Sequence, residues 1–115
     1  MPNKNYVNGR SFEYRVKRRL EADGYYVVRS AGSKGKVDLL AVKDGNAAFV
    51  QCKRHGAIDK EEANKLYEIS LQFGGAPVLA EIPKGKTRGI DFWKLTGLMG
   101  RKREKNLEEW DPKLA

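Results

Sequence analysis

The sequence predicts an α/β fold, a mixed sheet packed against helices in the order αβββαββ. Three observations predict it. An amphipathic stripe lies near the N-terminus, short β-branched and aromatic runs are separated by turn residues, and a second amphipathic stretch interrupts those runs. With 115 residues, the chain is expected to form one domain with a single modest core.

Residues 1–8 are polar and are expected to be loose. From Ser11 to Asp23, Phe12, Val16 and Leu20 recur at i, i+4 and i+8, while Arg15, Lys17, Arg18 and Arg19 fall elsewhere on the surface; Gly24 ends the helix. "YYVVRSA" reads as a strand and "GSKGK" as a flexible loop. Val37–Val42 and Ala47–Cys52 are strands joined by Asp44-Gly45, a strong hairpin signal. After the loop "RHGA", Asp59 is the N-cap of a second helix and Glu62 stands three residues on, a capping-box arrangement. Its predicted buried stripe is Ala63, Leu66, Ile69 and Phe73, and Gly74-Gly75 stops it. "APVLAEI" follows as a strand and "GIDFWKL" as a weaker last one. Residues 97–115 form a C-terminal extension, basic and then acidic, whose form the sequence leaves open. Trp93 and Trp110 read as packing residues.

The formal charge is +8, which favours a polyanionic partner, nucleic acid or an anionic membrane surface. Against a membrane, no apolar run approaches the roughly 20 residues a span requires. The N-terminal segment carries basic residues with no apolar block behind them, so no signal peptide is expected and a cytoplasmic setting is. One cysteine, Cys52, excludes an intramolecular disulfide and Cys-rich zinc sites. A metal would need oxygen ligands, which points to a hard cation such as Mg²⁺ or Mn²⁺; no organic cofactor is expected.

The apolar stretch "KVDLLAVKDGNAAFVQCK" contains three polar residues that need explaining: Asp38, Gln51 and Lys53. A two-residue turn at Asp44-Gly45 sets Lys43 opposite Asn46, Leu40 opposite Phe49 and Asp38 opposite Gln51. Lys53 then shares their face, while Leu39, Ala41, Val50 and Cys52 point to the other. A carboxylate and an amide oxygen placed together can share a divalent cation, and a neighbouring lysine can orient water or stabilise charge on a phosphate. Glu13, on the expected first helical turn beside the apolar stripe, is the candidate second carboxylate. The plain alternative is an Asp–Lys salt bridge at a sheet end with glutamine hydrogen-bonded beside it. Cys52 reads as a small buried hydrophobe and His55 as a solvent-facing loop residue.

Assembled in order, Glu13, Asp38 and Gln51-x-Lys53 resemble the PD-(D/E)xK nuclease superfamily, and within it the archaeal-type Holliday junction resolvases. The resemblance covers residues 9–55: Gly9-x-x-x-Glu13 with Arg10, the loop serine in Gly32-Ser33, Asp38, and "FVQCK". It implies a restriction-endonuclease-like sheet flanked by helices, and metal-dependent hydrolysis of DNA at four-way junctions by a homodimer. Glu13, Asp38 and Gln51 would hold Mg²⁺ or Mn²⁺, Lys53 would assist the water or the charged transition state, and Ser33 would act at the scissile phosphate. Lys4, Arg10, Arg29, Lys34, Lys36, Arg54 and His55 would meet DNA phosphates. Flap or duplex cleavage on the same fold, and a catalytically weakened junction binder, are the rival readings.

Gln51 departs from the pattern, which usually has glutamate there. Glutamine keeps one oxygen ligand and loses a charge, so metal affinity is expected to be reduced. Gln51→Glu is accordingly expected to bind Mg²⁺ or Mn²⁺ more tightly. Calorimetric titration measures this directly, and unchanged or weaker binding would remove Gln51 from the ligand set.

Overall fold

In a computed structural model of the chain, residues 4–30, 37–54, 58–100 and 106–115 are described, with side chains from Arg10 onward. Helix α1 (Lys4–Ala22) precedes three strands, β1 (Tyr26–Arg29), β2 (Leu39–Lys43) and β3 (Asn46–Lys53). Helix α2 (Lys60–Phe73) follows, then β4 (Ala76–Glu81), β5 (Asp91–Leu95) and β6 (Leu107–Glu109). The six strands lie side by side in sequence order, antiparallel except for the β3–β4 pair, which α2 connects. The predicted order holds through β5.

Helix α1 starts before the apolar stripe does. Residues 4–8 are helical, not loose, because nothing after Pro2 interrupts the helix and Gly9 costs only about 1 kcal/mol in an interior position. Glu13 therefore sits mid-helix instead of on the first turn. The stripe itself behaves as expected: Phe12, Val16 and Leu20 are buried against Leu39, Ala41 and Val50. Each of these side chains contributes roughly 1.5–3 kcal/mol on burial, which fixes α1 to one sheet face.

The hairpin turns at Asp44 (φ 53°) and Gly45 (φ 81°), both left-handed, as a type I′ turn requires. Its register is the expected one from Lys43↔Asn46 to Leu39↔Val50. There the ladder stops. Asp38 is not paired with Gln51, because its N–H donates to Val50 O at 2.9 Å and skips a residue.

Helix α2 covers the other face at β3 and β4, burying Ala63 and Leu66 with Leu79, Leu95, Ile58 and Met99. Asp59 caps it by accepting the Glu62 N–H at 2.8 Å, and Gly74 (φ 77°) ends it. Phe73 departs from the predicted stripe: it is 65% exposed, and Ser70 is buried in its stead, its hydroxyl donating to Leu66 O at 2.7 Å. Because α2 lies over β3 and β4, it leaves Tyr26, Val28 and Val42 on the first two strands exposed.

The extension contributes β6 and then folds back. Trp110 meets Phe92 edge-on at 5.6 Å and Tyr25 at 6.0 Å, while Tyr25 Oη donates to Pro112 O at 3.0 Å. Trp93 packs beside the α2 core cluster. Both tryptophans are packing residues, as expected.

Candidate active site

The irregular end of the hairpin organises the site. Having skipped Gln51, Asp38 turns its carboxylate to the next amide: the Cys52 N–H donates to Asp38 Oδ2 at 2.8 Å. Main chain and side chain of Asp38 thus grip β3 on either side of residue 51. The Cys52 side chain packs against the α1-side core, and burial, reinforced by Asp38 and Glu13, pushes its thiol well above the ordinary range. It is a neutral packing residue, not a nucleophile.

Glu13 approaches from α1. Its Oε1 accepts from Arg29 Nε at 3.1 Å, both side chains about a quarter exposed. Burial raises its pKa, the Asp38 charge raises it further, and Arg29 and Arg10 oppose the shift. Burial also raises Asp38, against the Cys52 hydrogen bond and the positive charges of Lys53 and Arg29; Glu62 adds to the rise. Two carboxyls are thus held above their usual range within reach of each other's fields, and two cations flank them. Burial is the largest cause of both upward shifts, and it outweighs the cations that flank the two carboxyls.

Lys53 leaves the strand on the α2 side, where Nζ meets Glu62 Oε2 at 2.7 Å. Glu62 was read from the sequence only as a capping residue; its spacing from Asp59 carried no sign that it faces the lysine. Tyr14 was also missed. Arg10 and Arg29 both approach its ring, at 5.7 and 5.3 Å, and Arg10 hydrogen-bonds its phenol, lowering its pKa. This ring holds two guanidinium groups beside Glu13, and the residue's place next to Glu13 in sequence was the available signal.

Glu13, Asp38, Lys53, Arg29 and Arg10 are therefore brought together. Gln51 is half-buried on β3 opposite Leu79, and its side chain makes no hydrogen bond to another described residue. Arg54 follows β3, half-buried. Ser33, Lys34, Lys36 and His55 lie outside the described residues, as does the Lys4 side chain. Among the described residues no three His, Cys, Asp or Glu side chains converge to hold a metal by themselves.

Residues 4–108 match the family model described as archaeal Holliday junction resolvase (Hjc). The chain is 47% identical over 79 residues to a crossover junction endodeoxyribonuclease Hjc of Methanocaldococcus jannaschii. That match takes in 65% of this chain and 59% of the relative, so the chain spans less than two thirds of that relative's length. Among solved structures it is similar to Archaeoglobus fulgidus Hjc, a Holliday junction resolvase, with a TM-score of 0.61 at 20% identity, covering 74% of this chain and 70% of that one. The likeness bears out the restriction-endonuclease-like fold.

The raised carboxyls carry a pH signature. A carboxyl with a higher pKa folded than unfolded keeps its proton longer when folded, so its ionisation opposes folding increasingly as pH rises through the folded value. In chelator, Asp38→Asn should match the parent in acid and melt higher than it near neutral pH, the amide oxygen still accepting from Cys52. Thermal melts across pH test this, and a variant less stable at neutral pH would mean that Asp38 is a net stabilising ion-pair partner.

Proposed function

The chain belongs to the archaeal Holliday junction resolvase family, and from that premise we propose that it is a structure-specific endonuclease, resolving four-way DNA junctions through metal-dependent phosphodiester hydrolysis and symmetric nicks. The observation that carries the reading is the meeting of Glu13 and Asp38, both with raised pKa values, beside Arg29 and Lys53.

The proposed cofactor is Mg²⁺ or Mn²⁺. The donor set fits a hard cation: two carboxylates and the Gln51 amide oxygen, with water completing a shell that Mg²⁺ rarely surrenders. When bound, such a cation stabilises charge on the phosphate and makes a water more acidic. The rest falls to the chain. Asp38, gripped by Cys52 N–H, and Glu13, oriented by Arg29, keep their oxygens aligned. Lys53, paired with Glu62, is assigned to the attacking water or the phosphate oxygens. Ser33 is assigned to the scissile phosphate. Arg10, Arg29, Lys34, Lys36, Arg54 and His55 are assigned to neighbouring phosphates, making binding salt-dependent and sequence-tolerant.

A homodimer is proposed as the working form, since paired nicks on a two-fold substrate suit two-fold protein symmetry. The sheet face that α2 leaves uncovered supports it. Val28, Val37, Leu40, Phe49, Ile69 and Phe73 line an apolar groove of about 460 Å³ there, an unusual surface to leave in water.

The deciding experiment is cleavage of an end-labelled four-way junction and a matched linear duplex, with Mg²⁺, Mn²⁺ or EDTA, alongside Asp38→Ala. Paired junction nicks that vanish with EDTA and with the variant are expected, from a species that sediments as a dimer. Equal duplex cutting would indicate a general nuclease, and tight junction binding without cutting a weakened binder.

A further inference from the structure

The basic residues of α1 fall into two groups, and only one faces the carboxylates. At about 100° per residue, Lys17 and Arg10 lie within roughly 60° of Glu13 around the helix, whereas Arg18, Arg15 and Arg19 lie about 120–160° away. On that far flank they meet Arg88, Gly89 and Ile90 from the loop between β4 and β5. The four arginines line an open groove of about 590 Å³.

The groove's charge is largely uncompensated. Arg19 Nε pairs with Asp23 at 3.0 Å, and Arg15 Nη2 donates to Gly89 O at 3.3 Å. Arg18 and Arg88 have no ion-pair partner among the described residues. Arg15 and Arg19, one turn apart, and Arg15 and Arg18, three residues apart, repel each other. Aromatic rings hold two of the guanidinium groups, Arg15 over Phe12 at 5.4 Å and Arg19 over Phe92 at 6.0 Å. Ordered, like-charged forks around an open groove suit a row of phosphates, which arginine grips bidentately. Its mouth is open and lined by four guanidinium-bearing side chains, which suits the phosphates of a backbone.

We propose that this groove is a second DNA-backbone site, holding a duplex arm of the junction other than the one in the active site. The assignment rests on the junction-resolving reading above. A helix with its side chains is about 10–12 Å across, so a straight duplex seated at Glu13 touches one flank of α1. Arms that diverge from a branch point reach the other.

The test uses Arg18→Gln with Arg88→Gln, and a charge-keeping pair, Arg18→Lys with Arg88→Lys. Arg15 and Arg19, which pack on rings, are left intact. Binding to a four-way junction and to a linear duplex is measured across a salt series, with single-turnover cleavage at saturating junction. The glutamine pair should weaken junction binding about tenfold and flatten the log–log salt slope by about 2. Duplex binding and saturated cleavage should be unchanged, and the lysine pair should recover most of the slope. Unchanged junction affinity in the glutamine pair overturns the groove. An equal loss on both substrates makes it part of one general track and overturns the arm assignment. A parent chain with no preference for junctions overturns the underlying reading instead.

Discussion

The hydrogen bond from Cys52 N–H to Asp38 Oδ2 is the constraint on which the site depends. A regular ladder would have carried Asp38 onto one face of the sheet with Gln51 and Lys53. The one-residue slip, with Asp38 N–H on Val50 O, stops that alternation and leaves the carboxylate at the sheet end. From there it feels Glu13, which comes with α1 on one face, and Lys53 with Glu62, which belong to the α2 face. The two helices never need to touch for their polar residues to act on one centre. Their separate cores, around Phe12, Val16 and Leu20 and around Ala63 and Leu66, each fix one side of it.

Burial supplies the electrostatic character. Were Glu13 and Asp38 fully hydrated, Arg29 and Lys53 would hold them below their ordinary range; partial desolvation outweighs those cations at both residues. Ionising such groups costs folding free energy. Each cationic side chain also has a structural partner, Arg29 on Glu13 and Lys53 on Glu62, so neither charge is left uncompensated beside the core. These partially exposed pairs contribute on the order of 1 kcal/mol or less each, and their larger effect is to limit rotamer freedom.

The sequence made legible what local physics decides. The Asp44-Gly45 turn fixed the hairpin register down to Leu39↔Val50, and the Phe12, Val16 and Leu20 stripe identified the docked face of α1. What it hid depends on tertiary context. The slip at Asp38 follows from a side chain capturing an amide, which periodicity does not encode. Ser70 entered the core because its hydroxyl bonds back to Leu66 O, a local satisfaction that lets a polar residue replace Phe73. Strand β6 lies beyond a basic cluster and carries only Leu107 as an apolar residue; it forms because β5 offers an open edge, with Trp110 packed on Phe92 just past it. Among the candidate site residues, Glu13, Asp38 and Lys53 were singled out by motif, whereas Glu62 and Tyr14 came into view only once the helices were placed.

The basic residues of α1 are divided between its two flanks as well. A +8 chain needs its basic residues near its substrate yet away from one another, and a helix solves this by angular spacing. On the Glu13 flank, Arg10 is balanced by the acids of the site and by the Tyr14 ring. On the far flank, Asp23 balances only Arg19, and positive charge accumulates. The helix that carries Glu13 therefore presents most of its unneutralised charge away from that acid. For a cut confined to one duplex this would be a poor use of charge, because attraction on the wrong side of the helix draws DNA from the carboxylates. For a branched substrate the same arrangement lets attraction on both flanks pull in one direction, seating the branch point across α1.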